Sequence, residues 1–161
     1  MSIPRLLGHS FGDGYIHNTK SYFIYTNSAK ELLTEVSRNV AEEFGSVSSC
    51  WRTSVGGTPQ IQFSASVGRQ LNRLGAPQGS KTKQETVIPS TIMKGDEATK
   101  ANFLGALCDD EAEVRPDSGS KQTALKSAKL TSLETELDDY LKQVRKLFES
   151  LEITCSTPKR D

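Results

Sequence analysis

Residues 6–16 read Leu6-Leu7-Gly8-His9-Ser10-Phe11-Gly12-Asp13-Gly14-Tyr15-Ile16, and residues 104–114 read Leu104-Gly105-Ala106-Leu107-Cys108-Asp109-Asp110-Glu111-Ala112-Glu113-Val114. At an offset of 98 residues Leu6 falls on Leu104, Gly8 on Ala106, Asp13 on Glu111 and Ile16 on Val114. Each stretch is a helical run of apolar and small residues that ends in an acid. Gly8 and Gly12, four apart, leave one helical face without side chains, and Gly105 with Ala106 supplies the small surface of the second copy. Two helices packed through these faces in parallel bring Asp13 and Glu111 together at their C-terminal ends. The helix ends carry partial negative charge, so paired carboxylates there favour a divalent cation with oxygen ligands. The plainer alternative is two solvated acids beside glycines that only break helices.

The segments after the two motifs are alike. Behind the first come a strand over 21–26 and a helix from about Ser28, with Leu32, Leu33, Val36, Val40 and Phe44 on one face, closed by Gly45. Behind the second come a turn at Pro116-Asp117-Ser118-Gly119, a polar strand around 123–130, and a helix from about Ser132, a fitting N-cap, with Leu133, Leu137, Leu141, Val144 and Phe148 on one face. The first unit continues with strands over 47–55 and 60–65, joined by Gly56-Gly57-Thr58-Pro59 as a hairpin. A helix over 66–74 ends at Gly75, and a Gly/Lys/Thr-rich loop over 76–85 leads to Ile88-Pro89 and a second short helical piece. The second unit lacks this continuation, so the expected organisation is a full unit over 1–98 and an abbreviated one over 99–161, with motif helices over 4–13 and 99–111.

Composition narrows the function classes. The 161 residues hold 20 Lys+Arg against 20 Asp+Glu, with 25% charged and 35% hydrophobic residues, a globular balance rather than a disordered one. The mean hydropathy is -0.49, and no run approaches the roughly 18 apolar residues of a membrane helix. The chain is therefore expected to be soluble and cytoplasmic, without a membrane partner. Three cysteines without CxxC spacing and two separated histidines argue against a zinc site or a disulfide framework. The zero net charge hides an asymmetry. Between Glu43 and Glu85 there is no acid, while Arg52, Arg69, Arg73, Lys81 and Lys83 fall inside, a local basic surface of the kind nucleic acid requires.

The two motifs resemble those of the LAGLIDADG homing endonucleases, in the dodecapeptide form found in inteins and in free-standing archaeal relatives. Leu6-Leu7-Gly8 through Gly12-Asp13-Gly14 is similar to the first motif, and Phe103-Leu104-Gly105-Ala106-Leu107-Cys108-Asp109-Asp110-Glu111 to the second, in its variant ending Asp-Asp-Glu. Gly79-Ser80-Lys81-Thr82-Lys83 through Ile88-Pro89 is similar to the basic block between the motifs. The chain departs from the pattern at His9 and Ser10, which are polar, at Asp110, where a small residue is common, and at Ala112, which replaces glycine. The resemblance implies an α+β fold of tandem αββαββα repeats packed through two motif helices, the second repeat incomplete, with the sheets forming a concave surface over double-stranded DNA. It implies site-specific phosphodiester hydrolysis with Mg²⁺ (or Mn²⁺) held by Asp13 and Glu111 and the carbonyls of Gly12 and Asp110, the ions activating water and stabilising the leaving oxygen. Lys83, or Lys81 on the same loop, is then the cation beside the phosphate. The chain is expected to act as a monomer with two pseudo-symmetric repeats, or as a dimer if the second repeat is truly incomplete.

For DNA contact the hairpin is the informative part. Gln60, Gln62 and Ser64 alternate with Ile61 and Phe63, and Ser48, Arg52 and Ser54 alternate with Val47, Trp51 and Val55. A polar sheet face bearing Arg and Gln can read base edges or can be a plain solvent face. Trp51 is expected in the core; His17, Lys20 and Tyr22 are further contact residues; His9 is read as an interface histidine rather than a ligand. A DNA-binding protein of the same fold that does not cleave, and an RNA-binding maturase, are the competing readings. The chain starts with Met and ends without His-Asn, so it is expected to be free-standing or an excised domain.

Overall fold

The computed structural model describes residues 2–115 and 122–158; the turn expected at 116–119 lies outside them. The chain opens with helix α1 (Ser2–Phe11), short of the expected 4–13, so that Gly12 and Asp13 form the turn into strand β1 (Gly14–Ile16). Gly14 is required here for space, because a Cβ would stand 2.7 Å from His9 O and from Ser10 Cα. Strand β2 (Phe23–Thr26) returns antiparallel, with Tyr15 opposite Ile24. Asn27 Oδ1 accepts from Ala29 N at 2.8 Å, a turn that launches helix α2 (Lys30–Phe44). Helix α2 buries Leu33, Val36 and Val40 and ends at Gly45, whose φ of 74° lets its N–H reach Ala41 O at 3.0 Å.

Strands β3 (Ser49–Thr53) and β4 (Pro59–Phe63) form the expected hairpin, and β4 rather than β3 lies against β2, giving the antiparallel order β1-β2-β4-β3. Ile16, Phe23, Tyr25, Ile61 and Phe63 face the core, and Phe23 and Phe63 stack at 5.9 Å. Trp51 pairs with Ile61 on that same side but is 55% exposed, against the expectation of a core residue. The reason is positional. Helix α2 packs across β2 and β4, while β3 is the sheet edge and all five of its residues are exposed.

Helix α3 (Ala65–Arg73) buries Val67 and Leu71 and crosses the chain at Ser21, where Gly68 leaves no room for a side chain. A single 3-10 turn at Lys81–Lys83 and the short helix α4 (Ser90–Met93) lead to α5 (Glu97–Glu111). Asp96 caps α5 by accepting from Thr99 N at 2.8 Å. Strands β5 (Ala112–Arg115) and β6 (Gln122–Leu125) pair antiparallel as a second, two-stranded sheet. The polar strand expected to run to Leu130 stops at Leu125. Leu130 N instead donates to Thr82 O at 2.9 Å, and helix α6 (Glu134–Glu149) comes next. Ser132 does not cap α6 as expected. Leu133 N bonds to Leu130 O at 2.8 Å, a 3-10 turn encloses Ser132, and Leu133 stands at the cap without a side-chain bond.

The order helix, strand, strand, helix thus occurs at both ends of the described chain. One core joins them: Phe11 of α1 meets Phe103 of α5 edge-on at 5.5 Å and Tyr140 of α6 in a stack at 6.2 Å. Among the described residues, no helix is long and apolar enough to cross a membrane.

Candidate active site at the junction of two helices

Among the described residues, helices α1 and α5 make the most extensive contact between any two elements, and small residues permit it. A Cβ on Gly8 would run into the Phe103 carbonyl and lie 2.7 Å from the Ala106 Cβ, and one on Gly12 would lie 2.5 Å from Asp110. Ala106 is fully buried. Gly105 stands to one side, where a Cβ would meet only the end of the Arg5 side chain at 3.3 Å. Arg5 ties the helices together, its Nε donating to Glu35 of α2 and its Nη2 to Asp109 of α5 at 2.8 Å. Burial works against the Glu35 carboxylate, but Arg5 outweighs it and holds Glu35 below its ordinary pKa.

The acids collect where this contact ends. Asp13 is pushed up from 3.8 to about 6, first by burial and then by the charges of Asp110 and Glu111, against the opposing pull of Lys81 and a hydrogen bond from Asn27 Nδ2 at 2.8 Å. Glu111, the last residue of α5, is also raised by burial, with Lys81 opposing and Asp110 adding. Asp110, expected to contribute only a carbonyl, turns its side chain into the junction, where it is fully buried. It accepts from Tyr25 Oη at 2.5 Å and from Asp13 N at 3.1 Å, and both its oxygens lie 3.1 Å from His9 Nδ1. Burial and Asp110 push the Tyr25 hydroxyl far above its usual range. His9 is wholly buried, and its Nε2 has no hydrogen-bond partner, the nearest acid being Glu35 at 3.7 Å.

Lys81 and Lys83, equivalent in the sequence, occupy different places. Lys83 is exposed. Lys81 reaches inward, and its Nζ donates to Gly12 O, to Gly14 O at 2.9 Å and to Ser10 O at 3.4 Å. Burial lowers its pKa, while Glu111, Asp13 and Asp110 resist the shift. Lys129 fixes the loop around it, donating to Lys81 O at 2.7 Å, to Gln84 O at 2.6 Å and to Thr86 Oγ1 at 2.6 Å. Sequence spacing points to none of Tyr25, Asn27 or Lys129. The only available signal is that Tyr25 falls at a core-facing position of β2.

The donor set suits a hard cation. Mg²⁺ characteristically takes one or two carboxylates with water and phosphate oxygens completing its shell, and here Asp13 and Glu111 are partly buried carboxylates, each raised first by burial, with neighbouring acids adding to the shift and Lys81 opposing it. Gly12 O, the main-chain donor, is engaged by Lys81. Among the described residues, no group of three or more His, Cys, Asp or Glu side chains is arranged to hold a metal by itself.

Of the residues expected to touch DNA, Arg52, Gln60 and Gln62 lie on the sheet face opposite the core. Arg52 is opposite Gln60 and Cys50 is opposite Gln62, while Thr26 and Ile24 extend the same surface across β2. Arg52 is exposed; Gln60 and Gln62 are half-buried. Ser48 and Ser54 fall outside β3, and the Ser54 hydroxyl accepts from Thr58 N at 3.0 Å inside the hairpin turn. His17 caps its own turn, its Nδ1 accepting from Lys20 N at 3.2 Å and Thr19 N at 3.3 Å, with the Lys20 side chain exposed. His17 and Tyr22 lie with ring centroids 5.3 Å apart.

No protein-family model matches the chain. Over 160 residues it is 27% identical to the tRNA-splicing ligase RtcB of Pyrococcus abyssi (strain GE5 / Orsay), a match covering 91% of this chain and 18% of that protein. The chain thus spans less than a fifth of that relative's length. A solved structure of mesophilic variants from the homing endonuclease I-DmoI superposes with a TM-score of 0.60 at 12% identity, covering 94% of this chain and 76% of that one. At that identity the likeness is one of fold: a mixed α+β chain with a four-stranded antiparallel sheet, built similarly to a homing endonuclease.

Proposed function

We propose that the protein is a site-specific double-stranded DNA endonuclease of the LAGLIDADG kind, built as two repeats over 1–98 and 99–161 and acting as a monomer. The observation that carries this reading is the junction of α1 and α5, where bare glycine faces bring two acid-bearing helix ends into one electrostatic site within a fold similar to a homing endonuclease. Asp13 and Glu111, with the carbonyls of Gly12 and Asp110, would hold Mg²⁺ or Mn²⁺. When bound, such an ion supplies a water of lowered pKa and neutralises charge on the phosphate. Asn27 orients Asp13, and the Asp110 carboxylate, locked by Tyr25 and His9, fixes the two helix ends relative to each other. Lys81 is the loop cation nearest the site, and the face bearing Arg52, Gln60 and Gln62 is the surface laid on the duplex.

The ligase match fits this reading as well. It concerns a stretch of this chain's size within a much longer protein, the proportion expected of an endonuclease domain carried inside a larger chain. The second reading, a DNA-binding protein that does not cleave, is favoured by one observation, the engagement of Gly12 O by Lys81. Plasmid libraries of randomised target sites incubated with Mg²⁺ distinguish the two. Cutting by the wild type and loss of cutting in Asp13→Asn and Glu111→Gln, with DNA binding retained, supports the nuclease. Equal binding by all three proteins without any cutting refutes it.

A further inference from the structure

The Lys81 ammonium has three N–H donors, and three main-chain carbonyls, Ser10 O, Gly12 O and Gly14 O, take them. Ser10 O and Gly12 O belong to the last turn of α1 and the turn beyond it, where carbonyls lack helical partners and carry the negative end of the helix dipole, and Gly14 O belongs to the first residue of β1. No N–H is left for a direct bond to Asp13 or Glu111, so Lys81 offsets their charge through space only. The Lys81 charge thereby faces the three carboxyl groups of Asp13, Asp110 and Glu111. The backbone of Lys81 is pinned from behind by Lys129, and Thr82 O accepts from Leu130 N at 2.9 Å. With the loop backbone held in this way, a change in the position of the ammonium falls to the Lys81 side chain rather than to the loop.

We propose that Lys81 is an internal counter-ion that competes with the divalent cation: the ammonium and the metal ion exclude each other at Gly12 O, and metal binding drives Lys81 out toward the surface. This rests on the reading of Asp13, Glu111 and Gly12 as a metal site. The physical basis is that one oxygen cannot serve two cations at contact distance without strong repulsion between them, and that a doubly charged ion matches the cluster better than an ammonium does. Lys81 then has two positions: it keeps the acids compatible with burial before the metal arrives, and afterwards its charge is released from the carbonyls.

Mn²⁺ titration of the full chain, followed by loss of the free-ion paramagnetic resonance signal, tests the competition on wild type, Lys81→Met and, as a remote surface control, Lys94→Met. Lys81→Met is expected to bind Mn²⁺ at least tenfold more tightly than wild type, with Lys94→Met unchanged. Equal or weaker binding by Lys81→Met overturns the proposal while leaving the metal site standing. Absence of Mn²⁺ binding in wild type and in folded Lys81→Met removes the metal site, and the proposal with it. Should Lys81→Met fail to fold, labelling of Lys81 in the wild type decides. The rate at which N-hydroxysuccinimidyl acetate labels Lys81, read by mass spectrometry, is to rise severalfold on adding Mn²⁺ and to stay fixed in Asp13→Asn; a Lys81 equally protected with and without the ion overturns the proposal.

Discussion

Asp13 carries its charge in an unfavourable place. Its carboxyl is raised from 3.8 to about 6 by burial and by two neighbouring acids, so between these values the folded state holds a proton that the unfolded chain releases. Stability from this group is fully present below about pH 4 and is lost as the pH rises through 6. Asp13→Asn mimics the protonated form. In EDTA its Tm is expected to exceed that of wild type at pH 7.5 and to match it at pH 4, as followed by circular dichroism; an Asn variant less stable at pH 7.5 would contradict the burial argument. The acid itself is visible in the sequence because it ends a glycine-bearing helical run. Its surroundings are not visible: Tyr25 and Asn27 reach the site from β2 and its exit turn, Asp110 from α5 and Lys129 from the segment after β6, and local spacing encodes no contact between residues 85 positions apart such as Tyr25 and Asp110.

Among the elements, the contact of α1 with α5 depends on missing atoms, and the motif glycines Gly8, inside the contact, and Gly105, to one side of it, should respond in opposite ways. On Gly8 a Cβ meets backbone, the Phe103 carbonyl, and the Ala106 Cβ at 2.7 Å, so the helices must separate. Gly8→Ala is expected to destabilise by about 3 kcal/mol, the upper end for overpacking. On Gly105 a Cβ meets only Arg5 Nη1, at 3.3 Å, where a shift of a few tenths of an ångström suffices, and the gain in helix propensity, up to about 1 kcal/mol, is expected to prevail. Urea denaturation of the two variants checks both signs. Period and punctuation in the sequence place the helices and the hairpin within a few residues, because Gly45, Gly57 and Gly75 all take positive φ values that glycine tolerates best. They mislead at Ser132 and Trp51. A serine before a helix says nothing of a 3-10 turn tied to Thr82, and alternation along a strand cannot tell an edge from a centre.

For the molecule as a whole, neutrality is the sum of unlike surfaces. The acids Asp13, Asp110 and Glu111 sit at the helix junction, while Arg52 stands exposed on the open sheet face beside Gln60 and Gln62. If that face meets the duplex, Arg52→Ala weakens binding by about tenfold, as loss of one base or phosphate contact does. The slope of log affinity against log salt falls by about 1 if the contact is to phosphate and by less if it is to a base edge. Fluorescence anisotropy over a range of KCl concentrations separates these cases, and unchanged affinity assigns the face to solvent. The basic stretch from Arg52 to Lys83 is legible as composition, yet its five cations are spread over hairpin, helix and loop. Only the fold reveals that Lys81 turns inward and Arg52 outward.

The exposed edge strand has one more consequence. Trp51 is the sole tryptophan and lies 55% open to water in the native state. Its emission therefore begins near the colour of an unfolded chain, so indole fluorescence is a poor witness to denaturation of this protein. The same placement makes it a sensitive optical probe of anything that covers the underside of the hairpin.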